Sequence, residues 1–354
     1  MSMPRRERGE RLPVIAITGH LGAGKTSLLN HLLRRDEARV GVVVNDFGDI
    51  NVDAALVAGQ VDHAASVAGS CLCCMPRSEG IDKALASLAR AALGLDAILV
   101  EASGLADPPA LAGLIASSQV AGVRLGGIIE VVDAVNADNT VDSDPEPPRR
   151  YAAATLVAVT KTDVLDAGGS LRAAERIRER VRRVNPMAHV VRAPYGRIDP
   201  DLVFDVADHP RIQEELPLEP EDSQDRGELG YEGHGHHEHV HARSASGALP
   251  GPVNPAALVD LLESPPIGAY RMKGRVGVRT RGGVSGYLVN LVGPLVHIAR
   301  LPFPPEPCGE LVAIGMDLDS DAAQSALAGI AGSPDDPVDA AGVARLERYH
   351  RLSG

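Results

Sequence analysis

The chain contains no Trp, and aromatic residues make up only 3% of its 354 positions. Few side chains are therefore available to stack on bases, and a net charge of -12 supplies no positive field to draw in nucleic acid or an anionic membrane. A long apolar run is also missing at the start. The charged residues 1–11 are followed by an apolar stretch, 12–17, that is too short for a signal sequence or a membrane span. A cytoplasmic protein is expected, with neither nucleic acid nor membrane as partner. Cysteine is scarce as well. Three of the four are packed into Cys71-Leu72-Cys73-Cys74 and the fourth, Cys308, lies far away, which is not the spacing of a secreted disulfide framework. In a reducing compartment, clustered thiols point to metal or redox chemistry.

With 44% hydrophobic residues the chain has material for two domains of ordinary size. From residue 13 to about 192, short runs rich in Val and Ile alternate with longer segments of helical spacing, the pattern of a parallel α/β sheet. Strands are predicted at 14–18, 40–45, 97–101, 127–132, 155–160 and 189–192, and helices at 25–34, 78–93 and 171–184. The polar stretch 134–150 reads as an exposed loop. From 211 to 255 the composition shifts to Glu, Asp, Gly, Ser, Pro and His, which is the composition of a linker. Strands at 270–278, 286–291, 295–301 and 310–316 and helices at 322–330 and 338–352 then describe a small α+β domain. The predicted division is 11–210, 211–255 and 256–354.

Gly19-His20-Leu21-Gly22-Ala23-Gly24-Lys25-Thr26 matches G-x-x-x-x-G-K-[ST], and it lies between a predicted strand and a predicted helix, the context a phosphate-binding loop requires. Glycines let backbone N–H groups approach phosphate oxygens, and the helix N-terminus adds partial positive charge. Lys25 would reach the β and γ phosphates, and Thr26 would ligate magnesium. Gly19, Gly22, Ala23, Gly24, Lys25, Thr26 and Ser27 are the predicted phosphate-side residues. A carboxylate near the metal is supplied by Glu101, which closes an apolar run and precedes Gly104 by three positions. It would hold a magnesium-bound water or orient the attacking one; Lys25 and Glu101 are the predicted catalytic pair.

Thr160-Lys161-Thr162-Asp163 resembles the N-K-x-D element by which GTPases read guanine, with Thr in place of Asn. In that element the Asp carboxylate accepts from guanine N1–H and the exocyclic amine while the Lys stem packs on the base. Adenine would leave the carboxylate unpaired. The competing reading makes Asp163 an N-cap of the next helix.

In order along the chain stand the phosphate loop, Asn45-Asp46-Phe47-Gly48-Asp49, Ser70-Cys71-Leu72-Cys73-Cys74, Glu101-Ala102-Ser103-Gly104-Leu105-Ala106-Asp107-Pro108 and Thr160-Lys161-Thr162-Asp163. This set resembles the CobW family of P-loop GTPases, metal-handling proteins related to the urease and hydrogenase nickel chaperones. Arg271-Met272-Lys273-Gly274 and Leu311-Val312-Ala313-Ile314-Gly315 resemble that family's C-terminal domain. The family usually has Glu at positions 46 and 49 and Gly at 70.

The resemblance implies a GTP-hydrolysing metallochaperone that uses GTP, Mg2+ and Zn2+ or Co2+ and delivers metal to a client metalloprotein. It also implies metal binding by Cys71, Cys73 and Cys74, with Asp46 and Asp49 as further candidate contacts. Three thiols within four residues can bend around one soft ion in a loop and leave a position open for hand-over, although buried or redox-paired thiols share the same spacing. His234, His236, His237, His239 and His241, five imidazoles within eight residues, would form a weak accessory metal site or a soluble biased linker. The alternatives to a hydrolysing chaperone are a nucleotide-switched metal buffer with negligible turnover and an ATP-dependent P-loop enzyme.

Overall fold

The computed structural model describes residues 10–34, 38–44, 63–66, 79–143, 147–204, 242–305, 309–333 and 336–353. Asp46, Asp49, the cysteine cluster, Cys308 and the five linker histidines lie outside the described residues.

The first half builds a seven-stranded parallel sheet. Its strands are β1 (Leu12–Gly19), β2 (Val40–Val44), β3 (His63–Ser66), β4 (Ala97–Glu101), β5 (Val123–Asp133), β6 (Leu156–Thr160) and β7 (His189–Ala193), in the spatial order β3-β2-β4-β1-β5-β6-β7. Every residue of β1, β2, β4 and β6 is buried, as expected for parallel strands covered on both faces. Among the described residues the α-helices of this half are α1 (Lys25–Leu33), α2 (Glu79–Leu88), α3 (Pro108–Ala116) and α4 (Ala167–Val184).

Strand alternation decides which helix meets which face. Ile15, Ile17, Val42, Val44, Leu99, Ile129 and Val131 pack with Leu28, Leu29 and Leu32 of α1. On the opposite face Val14, Ala16, Val43, Ile98, Val100 and Ile128 pack with Ile81 and Leu85 of α2 and with Leu111 and Ile115 of α3. Val132, Val157, Val159 and Val190 receive Ala173, Ile177 and Val181 of α4. β1 sits at the centre, with the chain winding first to the β4 side and then to the β5 side, so the carboxyl ends of β1, β4, β5 and β6 open onto one crevice.

Two sequence expectations change here. The stretch 134–150 is only partly exposed: Asp142 is buried and clasped by Arg180 of α4, with Nε to Oδ1 at 2.7 Å, and Tyr151 just beyond it is fully buried. The second correction concerns the domain boundary. Residues Arg243–Leu249, expected in the linker, form β8 and pair antiparallel with Gly309–Gly315, Ala245 facing Ala313 in the register. Inward positions there are Ala245, Gly247 and Leu249, two of them small, and Leu327 packs directly on Gly247. Little hydrophobic signal survives such a pattern.

The remaining elements are α5 (Pro255–Glu263), β9 (Arg271–Thr280), β10 (Gly283–Val292), β11 (Leu295–Arg300), β12 (Gly309–Gly315), α6 (Ser320–Ala328) and α7 (Ala340–Ser353). The antiparallel sheet runs β11-β10-β9-β12-β8, and α5, α6 and α7 cover one of its faces through Leu258, Leu262, Leu327 and Leu346. Asn254 caps α5 by accepting from Ala257 N–H at 3.0 Å, and Pro255 occupies its first turn.

The second sheet meets the first at the amino ends of β6 and β7. Tyr270 is buried, its hydroxyl 3.2 Å from Thr155 Oγ1 and its ring centroid 5.0 Å from that of His189. Burial holds the His189 imidazole below the ordinary histidine range, outweighing the pull of the Ala269 backbone and Asp317 and acting with the repulsion of Arg178. The unfolded chain then binds this proton more readily than the folded one, so stability is lost as pH falls through the ordinary histidine range, near the reference value of 6.5. Urea unfolding at about pH 7.5 and about pH 5.5 is expected to give a larger drop in midpoint for the native chain than for His189→Gln. Equal drops would show that His189 does not contribute.

Candidate functional site

β1 ends at Gly19, and the loop that follows turns back through a hydrogen bond from Ala23 N–H to His20 O at 3.1 Å. Gly24 opens α1 with φ 97°, and among the described residues no side chain caps that helix. The start of α1 thus carries no side-chain cap, and its N–H groups and helix dipole favour an anion there.

Three polar side chains face this corner. Lys25 is only 8% exposed and donates from Nζ to Gly19 O at 3.1 Å and His20 O at 3.3 Å, which folds the ammonium across the loop. Thr26 Oγ1 donates to Glu101 Oε1 at 2.7 Å, and Glu101, at the end of β4, is 4% exposed. Gly104 then passes the loop so closely that a Cβ there would lie 2.7 Å from Leu21 N, so no larger residue fits without displacing one of the two segments. Of the residues expected on the phosphate side, Lys25 folds back onto Gly19 and Thr26 meets Glu101. Ser27 is exposed, beside the Gly196 turn. Asp107, which follows, caps α3 by accepting from Ala110 N–H, with Pro108 at the first helical position.

On the other side of the loop, Thr160 is buried and its hydroxyl is 2.6 Å from Ala23 O and 3.1 Å from Val132 O. The Thr that stands in the place of Asn therefore braces the phosphate loop. Lys161 has φ 55°, an uncommon value for a residue with a Cβ. Its Nζ lies 2.7 Å from Asp133 Oδ2. Asp163 is exposed and accepts from Tyr195 N–H at 2.7 Å. The N-cap of α4 is Asp166, which accepts from Gly169 N–H, so Asp163 is not the cap. A cleft of about 240 Å³ runs beside the loop, lined by His20 to Ala23, Asp133, Asn136, Thr140 and Lys161 among others.

Two carboxylates of β5 were missed by the sequence reading. Asp133 closes β5 as Glu101 closes β4, and the rule that picked Glu101 from a strand terminus applies equally to it. Burial pushes its carboxyl up, but hydrogen bonds from Lys161, Asn136 and Val135 N–H outweigh that and hold it below the usual range. Glu130 is wholly buried under the loop, accepting from Thr18 Oγ1 at 2.6 Å and paired with Arg150. Burial raises its carboxyl despite Arg150, Thr18 and Lys25. No sequence signal marks it, because its partner Arg150 lies in a stretch that reads as loop.

A parallel sheet whose central strand runs through a glycine loop into a helix, with the lysine, the hydroxyl and a carboxylate gathered at that helix start, defines a P-loop nucleotide-binding protein. The chain belongs to the CobW/HypB/UreG family: that family's nucleotide-binding domain matches residues 13–192, and the cobalamin synthesis protein CobW C-terminal domain matches residues 242–331. It is 34% identical over 200 residues to the zinc chaperone YjiA of Escherichia coli, covering 54% of this chain and 61% of that protein. It is 32% identical over 198 residues to the zinc-regulated GTPase metalloprotein activator 1 of Schizosaccharomyces pombe, covering 53% of this chain and 47% of that one. The match thus spans about half to three-fifths of the length of these curated relatives. Among solved structures, the Zn(II)-bound YjiA GTPase from E. coli aligns at 22% identity and a TM-score of 0.41, covering 91% of this chain and 100% of that one.

Among the described residues no helix is long and apolar enough to cross a membrane, and no three His, Cys, Asp or Glu side chains gather as a metal site. Replacing Thr160 by Val removes the donor from two buried carbonyls and is expected to cost about 1–2 kcal/mol in urea unfolding, with Thr160→Ser retaining most of the stability. An unchanged midpoint for Thr160→Val would mean that the brace carries no energy.

Proposed function

We propose that this chain is a GTP-hydrolysing metallochaperone that carries zinc, or cobalt, on Cys71, Cys73 and Cys74 and hands it to a client metalloprotein. The observation that carries the nucleotide half is the 2.7 Å contact between Thr26 Oγ1 and Glu101 Oε1 in the first turn of α1, the turn that Lys25 opens. A hydroxyl and a carboxylate oxygen at that spacing are hard oxygen donors and suit a divalent cation of the magnesium type. Thr26 would ligate Mg2+ directly and Glu101 directly or through water, and the ion would offset charge on the phosphate oxygens during transfer. Lys25 leaves the carbonyls of Gly19 and His20 for the β and γ phosphates, exchanging two neutral acceptors for charged ones. Glu101 would also orient the attacking water.

Base choice falls to Asp163. Its side chain is exposed at the start of the turn after β6, and the Tyr195 N–H holds one oxygen in place. A carboxylate in that position accepts from guanine and has nothing to accept from adenine N1, which favours GTP over ATP.

The metal half rests on the C-x-C-C spacing and on the relatives, one named a zinc chaperone and the other a zinc-regulated GTPase metalloprotein activator. Zinc is cargo in this reading. The segment that holds Asp46 and Asp49 follows β2 and precedes the cysteines, so the nucleotide state would reach the thiols along one stretch of chain, with Asp46 and Asp49 as further contacts and the five histidines as a weak accessory site.

Two measurements test the two halves. Glu101→Gln keeps an acceptor for Thr26 and removes the charge; it should bind GTP normally while turnover falls about 100-fold, the scale of one lost preorganised electrostatic group. Undiminished turnover would remove Glu101 from the reaction. For the metal, replacing Cys71, Cys73 and Cys74 together by Ser should abolish tight zinc binding in a competition titration and leave GTP affinity intact. In the native chain, zinc and GTP should shift each other's affinity by the same factor. Retained zinc in the triple variant would rule out the cysteines as carriers, and independent binding of zinc and GTP would sever the proposed coupling.

A further inference from the structure

Lys161 adopts a left-handed backbone, φ 55°, and its ammonium turns toward β5. There it meets Asp133 Oδ2 at 2.7 Å. The register explains the meeting: Asp133 stands opposite Thr160 across the β5–β6 ladder, so the last carboxylate of one strand faces the first residue beyond the other. Asp133 is itself tightly held. Its Oδ1 accepts from Val135 N–H at 2.8 Å and Asn136 N–H at 3.2 Å, and Asn136 Nδ2 donates to Oδ2 at 2.9 Å. The carboxylate is buried whereas the lysine side chain is 39% exposed, along the wall of the cleft that also contains His20 to Ala23.

A part-exposed ion pair contributes little to stability, and the turn after β5 already has its acceptor in Oδ1. An uncommon backbone conformation that is fixed by such a pair is better explained by what the lysine must do. A free lysine samples many rotamers, and its strongly hydrated head would compete for the same space as a purine. Tied down at Nζ, the four-carbon stem becomes an ordered apolar surface.

We propose that Asp133 is a positioning residue for base recognition: by anchoring the Lys161 ammonium it fixes the lysine stem as a preformed wall for the guanine ring. Discrimination then stays with Asp163 and affinity for the base with Lys161. This rests on the reading of residues 160 to 163 as the guanine-recognising element.

The test compares GDP with pyrophosphate, which carries the phosphates and no base. Asp133→Asn keeps one oxygen to accept from the Val135 and Asn136 N–H groups and replaces Oδ2, the acceptor of Lys161 Nζ and of Asn136 Nδ2, by an NH2 that cannot accept. In calorimetric titrations of the full chain, GDP affinity should fall about tenfold, the size of one lost ordering contact, while pyrophosphate affinity stays within about twofold. The KM for GTP should rise in step with little change in kcat. In a Lys161→Met background, which keeps an apolar stem without charge, Asp133→Asn should have no further effect on GDP. Equal losses for GDP and pyrophosphate would overturn the proposal, since Asp133 would then act by disturbing the phosphate loop, and so would an unchanged GDP affinity.

Asp163→Asn separates this from the underlying reading. An amide there can donate to the O2 of xanthine and accept from its N1–H, so preference should move from GTP toward XTP. If it does so while Asp133→Asn is silent, only the role of Asp133 fails. If preference does not move, the guanine reading fails with it.

Discussion

Gly19 lies so close to β5 that a Cβ at this position would sit 2.4 Å from Val131 O, and the geometry of the site follows from that approach. A residue with a side chain would push the loop away from the strand that carries Glu130 and Asp133. Because the two backbones touch, the loop is gripped from β5 and β6 on one side, through Val131 and the Thr160 hydroxyl, and from β4 on the other, through Gly104 and Glu101. The phosphate loop therefore needs little internal bonding of its own. It is shaped by four strands that are fully or largely buried, which is a rigid frame in the sense that close-packed interiors resist small displacements.

Three carboxylates surround this frame, and their surroundings divide the labour among them. Glu130, enclosed with Thr18 and Arg150, is structural: removing one partner would leave the other buried and without its hydrogen bonds, which costs more than the contact contributes. Glu101 touches a hydroxyl that can itself turn to a cation. Asp133 pairs with Lys161, a lysine that is part-exposed and lines the cleft. In the proposed reading the same chemical group would serve as brace, metal-side ligand and anchor, according to whether its neighbour is arginine, threonine or lysine.

The second sheet meets β6 at Thr155, one residue before the strand begins, and the phosphate loop meets it at Thr160, where the strand ends. Those contacts are separated by roughly 17 Å of extended chain, at about 3.3 Å per residue, every residue of it buried. Both ends use a threonine hydroxyl that also bonds a carbonyl of β5, Ile128 at one end and Val132 at the other. β6 is thus pinned to the same neighbour at both ends, and the packing of the second sheet and the bracing of the loop share one short strand.

How much of this could be read from residues alone depended on whether the signal was local. The loop from Gly19 to Thr26 and the strand ending in Glu101 were plain, because spacing and an apolar run of Val, Ile and Leu state them within a few residues. β8 was not, since Ala245 and Gly247 are inward yet nearly silent in hydrophobicity; what makes them inward is Leu327, eighty residues away in the chain. The short strand β3, His63–Ser66, was lost for a similar reason, its Ala-Ala centre giving no β signal. The bond that Thr160 makes to the phosphate loop was not legible either. Compared with the N-K-x-D pattern Thr160 counts as an absent amide, yet its hydroxyl reaches Ala23 O across 137 positions of sequence. A pattern records which residue types recur at a position, whereas the bond depends on which strand lies next to it. Since β6 is separated from β1 only by β5, the short Thr160 side chain at its end reaches the loop, and the brace becomes visible only once the strand order is known.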